Sequence, residues 1–155
     1  MSTPHESAEL ILKIYELRRE ETMREARNWF ARFDPQSAQD VAAAIMDERS
    51  SAYYRMVTSY WDMACSFVAN GAIDETIFND ANGEHTFIYA KIEPYVAELR
   101  TMFNSPGMLQ NLEKIVMRQP DAAKRLEGMR ERARRMAAMR AQKSNDIAQA
   151  EAATT

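Results

Sequence analysis

Apolar residues recur at intervals of three and four positions along almost the whole chain, and this spacing limits the possible fold more than any other feature. Such a face matches the helical period of 3.6 residues, whereas a half-buried strand needs alternation at every second position. The pattern therefore predicts an all-α fold. The 155 residues, of which 46% are hydrophobic, suffice for one domain with a core of its own.

Breaks between the apolar stretches predict an irregular bundle of about five helices, with the long helices 2 and 3 packed antiparallel at its centre. Proline, glycine and asparagine mark these breaks, because they favour turns over helix interiors. The breaks lie at residues 34–35 (DP), 70–71 (NG), 104–107 (NSPG) and 119–121 (QPD). A bend within helix 2 is also expected near residues 47–51, where polar residues interrupt the apolar pattern.

Helix 3 is expected to continue through Gly83, because the apolar face that begins at Phe78 keeps its phase on both sides of that glycine. Glycine weakens a helix without necessarily ending it. Pro94 lies deeper in the same helix and should kink it, since proline removes one N–H donor and crowds the preceding turn.

Local capping signals mark several of the predicted helix ends. Thr3 and Glu6 fit a capping box at the start of helix 1. Gly71 suits the left-handed position that follows helix 2, and Asp74 can cap helix 3. The last helix is expected to end near Lys143.

A single helical domain is predicted over residues 1–143, followed by a frayed C-terminal tail over residues 144–155, where Ile147 is the one large apolar side chain. Cys65 is the only cysteine, which excludes an intrachain disulfide and suits a reducing compartment. No basic segment followed by an apolar run opens the chain, and the most apolar window carries two charged residues. We therefore expect a cytoplasmic protein.

The polar stretch IFNDANGEHTF, residues 77–87, is the best candidate for a metal-binding loop. An EF-hand needs oxygen ligands at positions 1, 3 and 5, glycine at position 6 and Glu at position 12. With Gly83 at position 6, Phe78 and Tyr89 occupy positions 1 and 12, and neither can bind calcium. Two His, one Cys and no Glu-x-x-His motif also disfavour zinc and di-iron sites. The stretch is therefore interpreted as a helix joint, and no metal, cofactor or catalytic residue is assigned.

Asp62 is the most informative polar residue, since it lies beside Trp61 in the most apolar helix. A buried carboxylate must be paired or have its pKa raised. Arg55, Lys91 and Arg100 are its candidate partners. A structural ion pair or hydrogen-bond anchor is the favoured interpretation, and a functional acid or ligand contact is the alternative.

That alternative places a ligand pocket around Asp62, Tyr60, His85 and Tyr54. His85 lies on an apolar stripe, where a satisfied core or interface histidine is commoner than a general base. Cys65 is in phase with an apolar face, as expected for a buried small side chain rather than a reactive thiol. The residues leave enzymatic activity undecided and favour its absence.

The charge of the chain is unevenly distributed. Residues 118–143 hold nine Lys or Arg and three Asp or Glu, a net charge of +6, so the remainder of a chain of net charge −3 carries −9. Residues 121–143 form a basic amphipathic helix whose candidate contact face is a set of arginines: Arg125, Arg130, Arg132, Arg134, Arg135 and Arg140. Packing on an acidic surface of the same protein or of a second copy is favoured over contact with nucleic acid or an anionic membrane.

Three features stand together between residues 50 and 140: an aromatic-rich helix that ends in NGAIDE, the ANGE that follows it, and the EPY at the expected kink. This stretch resembles a group of uncharacterised bacterial helical proteins that is classed as a domain of unknown function. The resemblance implies an all-helical bacterial domain, and it implies no catalytic residue.

The favoured function is a non-enzymatic helical interaction or scaffold module that forms a homo-oligomer, in the simplest case a dimer, and that could bind a further, unknown protein. Eleven methionines, which adapt at interfaces, and the oppositely charged segments motivate this expectation. One alternative is a regulatory protein that uses helix 121–143 to contact nucleic acid or anionic lipid. A second alternative is a small-ligand-binding or enzymatic bundle with a pocket near Asp62.

Overall fold

The protein is built from α-helices joined by short turns, and no strand occurs in residues 1–153, the part that the computed structural model describes. In chain order the helices are α1 (Pro4–Leu17), α2 (Glu21–Arg32), α3 (Ala38–Met46), α4 (Ser50–Ala69), α5 (Glu75–Ala81), α6 (Glu84–Ile92), α7 (Val96–Met102), α8 (Gln110–Met117) and α9 (Ala122–Ala152). A 3-10 turn, Glu93–Tyr95, joins α6 to α7. The predicted all-α class is confirmed, whereas the predicted number of about five helices is too low.

Acidic side chains divide the predicted helices 1 and 2. The carboxylate of Glu20 accepts hydrogen bonds from two backbone N–H groups at the start of α2, which separates α2 from α1. The carboxylate of Asp47 accepts from the N–H groups of Arg49 and Ser50 and separates α3 from α4 within the expected bend. Such bonds satisfy N–H groups that a helix start leaves unpaired, so each break is locally stable.

The expectation that helix 3 runs through Gly83 is wrong. The chain leaves the helix at Asn82, whose backbone is extended at φ −135° and ψ 130°. The Asn82 side-chain amide donates to the Phe78 carbonyl at 3.0 Å and so satisfies a carbonyl near the end of α5. The apolar phase persists because α5 and α6 face the same core. The kink near Pro94 takes the form of the 3-10 turn between α6 and α7.

The local capping signals are present where the sequence predicted them. The Thr3 side chain accepts from the Glu6 N–H while the Glu6 carboxylate accepts from the Thr3 N–H, which is a complete capping box. The Asp74 carboxylate accepts from the N–H of Ile77 at the start of α5. Gly71 has φ +76°, the left-handed conformation expected after a helix.

Helix α4 lies at the centre of the core, and its main partners are α2, α3 and α8. Trp61 on α4 is fully buried, and its ring contacts the rings of Tyr60, Phe78 and His85 at centroid distances of 5.0, 6.3 and 5.7 Å. The expected central pair of long antiparallel helices is not formed, because helix 3 is divided into short pieces. No single long face of helix 3 is left to lie along α4.

Lys91 joins the end of α2 to α6. The Lys91 ammonium is buried and donates to the backbone carbonyls of Phe30, Ala31 and Phe33 at 3.0, 2.9 and 2.5 Å. These carbonyls lie at the C-terminus of α2, where a helix leaves carbonyl groups unpaired, although the Phe30 carbonyl also accepts from the Phe33 N–H. A cation at this end of a helix is also favoured by the helix dipole.

Helix α9 extends beyond the rest of the molecule. Its inner part packs mainly on α6, and Ala122 and Leu126 are buried there. Every residue from 134 to 153 is exposed. The helix ends at Ala152 rather than near Lys143 as the sequence suggested. We call residues 134–152 the outer half of α9.

The proposed limits of the domain, 1–143, and of the tail, 144–155, stay a prediction, and the last two residues of that tail lie outside the described part of the chain. Within the described residues, no helix has both the length and the apolar character that crossing a membrane requires.

Replacing Gly71 by Ala should lower the free energy of unfolding by about 1 kcal/mol, because a Cβ is disfavoured in the left-handed region. Replacing Gly128 by Ala should raise it by about 0.5 to 1 kcal/mol, since Gly128 lies inside α9. An added Cβ meets nothing within 4 Å at either position, so the comparison isolates backbone conformation. Urea unfolding measures both effects, and changes of the same sign would contradict the explanation.

Candidate functional site

Asp62 caps helix α8 from its position on α4. One carboxylate oxygen accepts from the N–H groups of Asn111 and Leu112 at 3.0 and 2.9 Å, and the other accepts from the Asn111 side-chain amide at 3.0 Å. These N–H groups belong to the first turn of α8, whose N-cap residue, Leu109, offers no side-chain cap. Asp62 is therefore a hydrogen-bond anchor, and its partners are not the expected Arg55, Lys91 or Arg100.

Tyr60 and Tyr54 have partners other than Asp62. The Tyr60 hydroxyl donates to the Ile14 carbonyl of α1 at 2.5 Å, and its pKa is raised by burial. The Tyr54 ring stacks on Phe30 of α2 at a centroid distance of 6.0 Å. The Tyr54 hydroxyl is buried and has no hydrogen-bond partner within residues 1–153.

His85 lies in a closed polar cluster between α5, α6 and the start of α9. Its Nε2 atom is 3.1 Å from Asn79 Oδ1, 3.2 Å from Gln119 Nε2 and 3.3 Å from Thr86 Oγ1. The Gln119 amide donates to Asn79 and Thr86, so the geometry favours the tautomer in which Nε2–H donates to Asn79. Nδ1 then keeps a buried lone pair without a partner. Burial, reinforced by Arg125, lowers the pKa of His85 to about 4.

The four predicted pocket residues therefore serve different parts of the core. Asp62 bonds to α8, Tyr60 to α1 and His85 to residues of α5 and the α8–α9 turn, while Tyr54 stacks on α2. No hydrogen bond in the described chain links one of these side chains to another. The pocket proposed around these four residues stays a prediction.

The arginines of α9 divide into paired and unpaired side chains. Arg130 donates to Glu93 at 3.0 Å and to the Ala90 carbonyl at 3.0 Å. That carbonyl is the one that Pro94, four residues later, cannot bond, because proline has no N–H. Arg130 therefore docks α9 on the kink. Arg134 pairs with Glu127 at 3.5 Å.

The other four arginines of the predicted contact face lie in different parts of the surface. Arg125 borders a surface cavity near His85, and Arg135 is exposed. Arg132 and Arg140 line a groove of about 470 Å³ between α9, α6 and α2. We call this cavity the α9 groove.

The α9 groove has an apolar floor and a charged rim. Apolar side chains from three helices form the floor: Ala31, Phe87, Met129, Ala133 and Met136. A second cavity of about 310 Å³ adjoins it, shares Ala31, Glu84 and Phe87 with it, and adds Arg24 and Arg27. The two cavities therefore form one continuous cleft along α6.

Glu84 is the one acidic residue that lines this cleft, and its charge is already engaged. The Glu84 carboxylate accepts two bonds from Arg27, at 2.9 and 2.6 Å, and one from Arg18 at 3.4 Å. The Trp61 indole N–H also points at it, at 3.4 Å. The stripe Met129, Ala133 and Met136 was recognisable in the sequence, but Phe87 and Arg24 were missed because nothing local shows that α6 and α2 face α9.

Within residues 1–153, no group of three or more His, Cys, Asp or Glu side chains is placed to hold a metal ion. Cys65 is fully buried and has no disulfide partner, and burial raises the pKa of its thiol. The thiolate form that reacts with electrophiles is therefore disfavoured at this position.

The fold and surface define a helical domain followed by one long helix with an exposed outer half. The chain belongs to a family described as a domain of unknown function (DUF4760), whose model matches residues 3–119. This confirms the resemblance noted in the sequence, although the match ends before α9 begins. Comparison with curated proteins and with solved structures finds no match.

Replacing Asp62 by Ala should lower the free energy of unfolding by about 2 to 3 kcal/mol, because two N–H groups of α8 and the Asn111 amide lose a charged acceptor. Asp62→Asn keeps one oxygen and should lower it by about half as much. Asp80→Ala, an exposed carboxylate, serves as the control and should change little. Urea unfolding measures these changes in the free energy of unfolding. An Asp62→Ala variant as stable as the wild type would contradict the anchoring role.

Stability should fall as the pH drops from about 6.5 to about 4, because the pKa of His85 is near 4 in the fold and near 6.5 when unfolded. The unfolded chain binds the proton first, so acid favours unfolding by about 3 kcal/mol over this range. His85→Gln should remove this component from a series of urea unfolding curves, whereas replacing the exposed His5 by Gln should not. Equal pH profiles for both variants would contradict the assignment.

Proposed function

We propose that the protein is a non-enzymatic helical interaction module that associates with a second copy of itself through the outer half of α9. One observation carries the proposal: the outer half continues the packed inner part as regular helix, yet every residue in it is exposed. A helical segment with few tertiary contacts is marginally stable in water, because most helix stability in proteins comes from packing one face. A partner on this segment would supply that packing.

Exposed apolar side chains give the outer half a surface that a partner can cover. Met136, Met139 and Ile147 are 47%, 68% and 50% exposed. Methionine adapts its shape to a neighbouring surface, which suits an interface. Burying such side chains on association is favourable by about 25 cal/mol per Å² of apolar area removed from water.

Opposite charges favour a second copy as that partner. The segment 118–143 carries +6 and the rest of the same chain carries −9, so two copies can place unlike surfaces together. Charge complementarity of this kind orients partners and accelerates their encounter, and salt weakens it. The dimer is therefore expected to weaken as the salt concentration rises.

The buried state of the reactive side chains supports a role without catalysis. Cys65 is enclosed in the core with a raised thiol pKa, and His85 is neutral and enclosed near neutral pH. Asp62 is occupied by three hydrogen bonds to α8. The buried Cys65 also supports a cytoplasmic site of action, and the family resemblance supports a bacterial origin.

The alternative role of α9, contact with nucleic acid or anionic lipid, has weaker support. Two of the six arginines proposed for that contact, Arg130 and Arg134, already pair with acids of the same chain. Phosphate contacts need unpaired cations along one face. Binding to duplex DNA or to anionic vesicles by a strictly monomeric protein would favour this alternative over ours.

Sedimentation velocity from about 1 to about 100 micromolar should show a monomer–dimer equilibrium that shifts toward monomer between about 0.05 and about 0.5 M salt. The double variant Met139→Glu, Ile147→Glu should stay monomeric, because it places charges in the interface. Met46→Glu alters an equally exposed methionine, 76% accessible at the end of α3, and should dimerise like the wild type. A wild-type protein that is monomeric throughout would refute the proposal.

A further inference from the structure

We propose that the α9 groove is a binding site for a small amphipathic anion, a molecule with one carboxylate or similar anionic head and an apolar chain. This site goes beyond the proposed self-association, since the groove is also lined by α2 and α6, although two of its residues, Met136 and Arg140, belong to the outer half of α9. The inference rests on the apolar floor, on the charge of the rim and on the size of the cleft.

The floor suits an apolar chain. Phe87 offers an aromatic face, and Met129, Ala133 and Met136 continue along α9 beside it. The groove encloses about 470 Å³ and the adjoining cavity about 310 Å³. Clefts of about 300 to 1,000 Å³ with mostly apolar walls are the usual size of small-molecule sites. Ile88 extends the apolar wall into the second cavity.

The rim carries arginines that make no ion pair in the described chain, although Arg24 lies close enough to Glu20 to interact with it electrostatically. Within residues 1–153, Arg24, Arg132 and Arg140 make no ion pair, although all three line the cleft. Glu84 cannot compensate them, because Arg18 and Arg27 already pair with it. In the described part of the chain, Arg125 and Arg135 of α9 also make no ion pair, so the groove holds two of the four unpaired arginines of that helix.

Guanidinium groups bind carboxylates with two parallel hydrogen bonds and a fixed orientation. Arg132 and Arg140 both come from α9 and both border the apolar floor, so an anionic head held by either would direct the attached chain toward Phe87. A cationic head would meet repulsion at the same place. The combination therefore selects against a positively charged amphiphile of the same length.

Lys91 adds to the positive potential beneath the floor. Its ammonium nitrogen lies 4.9 Å from the centroid of the Phe87 ring while it donates to three backbone carbonyls. Burial lowers its pKa to about 8, so it is still mainly protonated at neutral pH. Because backbone carbonyls occupy its N–H groups, Lys91 contributes charge rather than a hydrogen bond to the ligand.

Isothermal titration of the full chain with sodium dodecanoate below its micelle concentration tests the proposal. Saturable binding is expected, and dodecyltrimethylammonium, which has the same chain and the opposite charge, should bind at least about tenfold more weakly. Short-chain butyrate should also bind more weakly, since it leaves the floor uncovered. Absence of saturable dodecanoate binding, or equal binding of both twelve-carbon amphiphiles, overturns the proposal.

Variants locate the site. The double variant Arg132→Gln, Arg140→Gln should weaken dodecanoate binding about tenfold or more, because it removes the charged head contacts. Arg135→Gln changes an exposed arginine of the same helix outside the groove and should bind as the wild type does. Met136→Gln, at a half-exposed floor position, should weaken binding without unfolding the chain, as circular dichroism would confirm. Unchanged affinity in the double variant would place any observed binding elsewhere and overturn the assignment.

Discussion

The structure depends on the polar backbone groups that short helices leave unpaired inside a core. Every helix end exposes N–H or carbonyl groups that must find partners, and burying one without a partner costs about 1 to 3 kcal/mol. Here a side chain of another helix reaches each of four such ends: Asp62 the start of α8, Lys91 the end of α2, Tyr60 the end of α1, and Arg130 the end of α6. These bonds bridge residues far apart in sequence. They allow frequent breaks between short helices while Trp61 stays fully buried at the centre of the core.

This constraint explains which parts of the fold the sequence could predict. The helical class follows from apolar spacing, and the capping box at Thr3 and the left-handed turn at Gly71 follow from local chemistry. The break at Asp47 was expected only as a bend, and the breaks at Glu20 and Asn82 were missed. At Asn82 the reason is that the apolar phase is the same on both sides of the break. A break is stable when its freed groups are satisfied, and long-range partners such as Lys91 are invisible to a local pattern.

At the candidate site, too, the features that depend on tertiary contacts could not be predicted from the sequence. The anchoring role of the half-buried Asp62 could be predicted from a carboxylate in an apolar helix. Its backbone partners on α8 could not, since they depend on the tertiary arrangement. The apolar stripe of α9 and its flanking arginines could be predicted from the sequence. The α9 groove could not be predicted, because it needs Phe87 of α6 to face that stripe. The docking of Arg130 on the carbonyl freed by Pro94 contributes to that position, as does the burial of Leu126.

The molecule thus consists of a domain whose helix ends are satisfied from within and a long helix whose outer half is not covered. Hydrogen–deuterium exchange at two protein concentrations tests this division most directly. The account predicts that amides of residues 134–152 exchange quickly in dilute solution and more slowly at high concentration, while those of α4 are protected equally at both. Exchange in the outer half that does not change with concentration would contradict the claim that a second copy covers it.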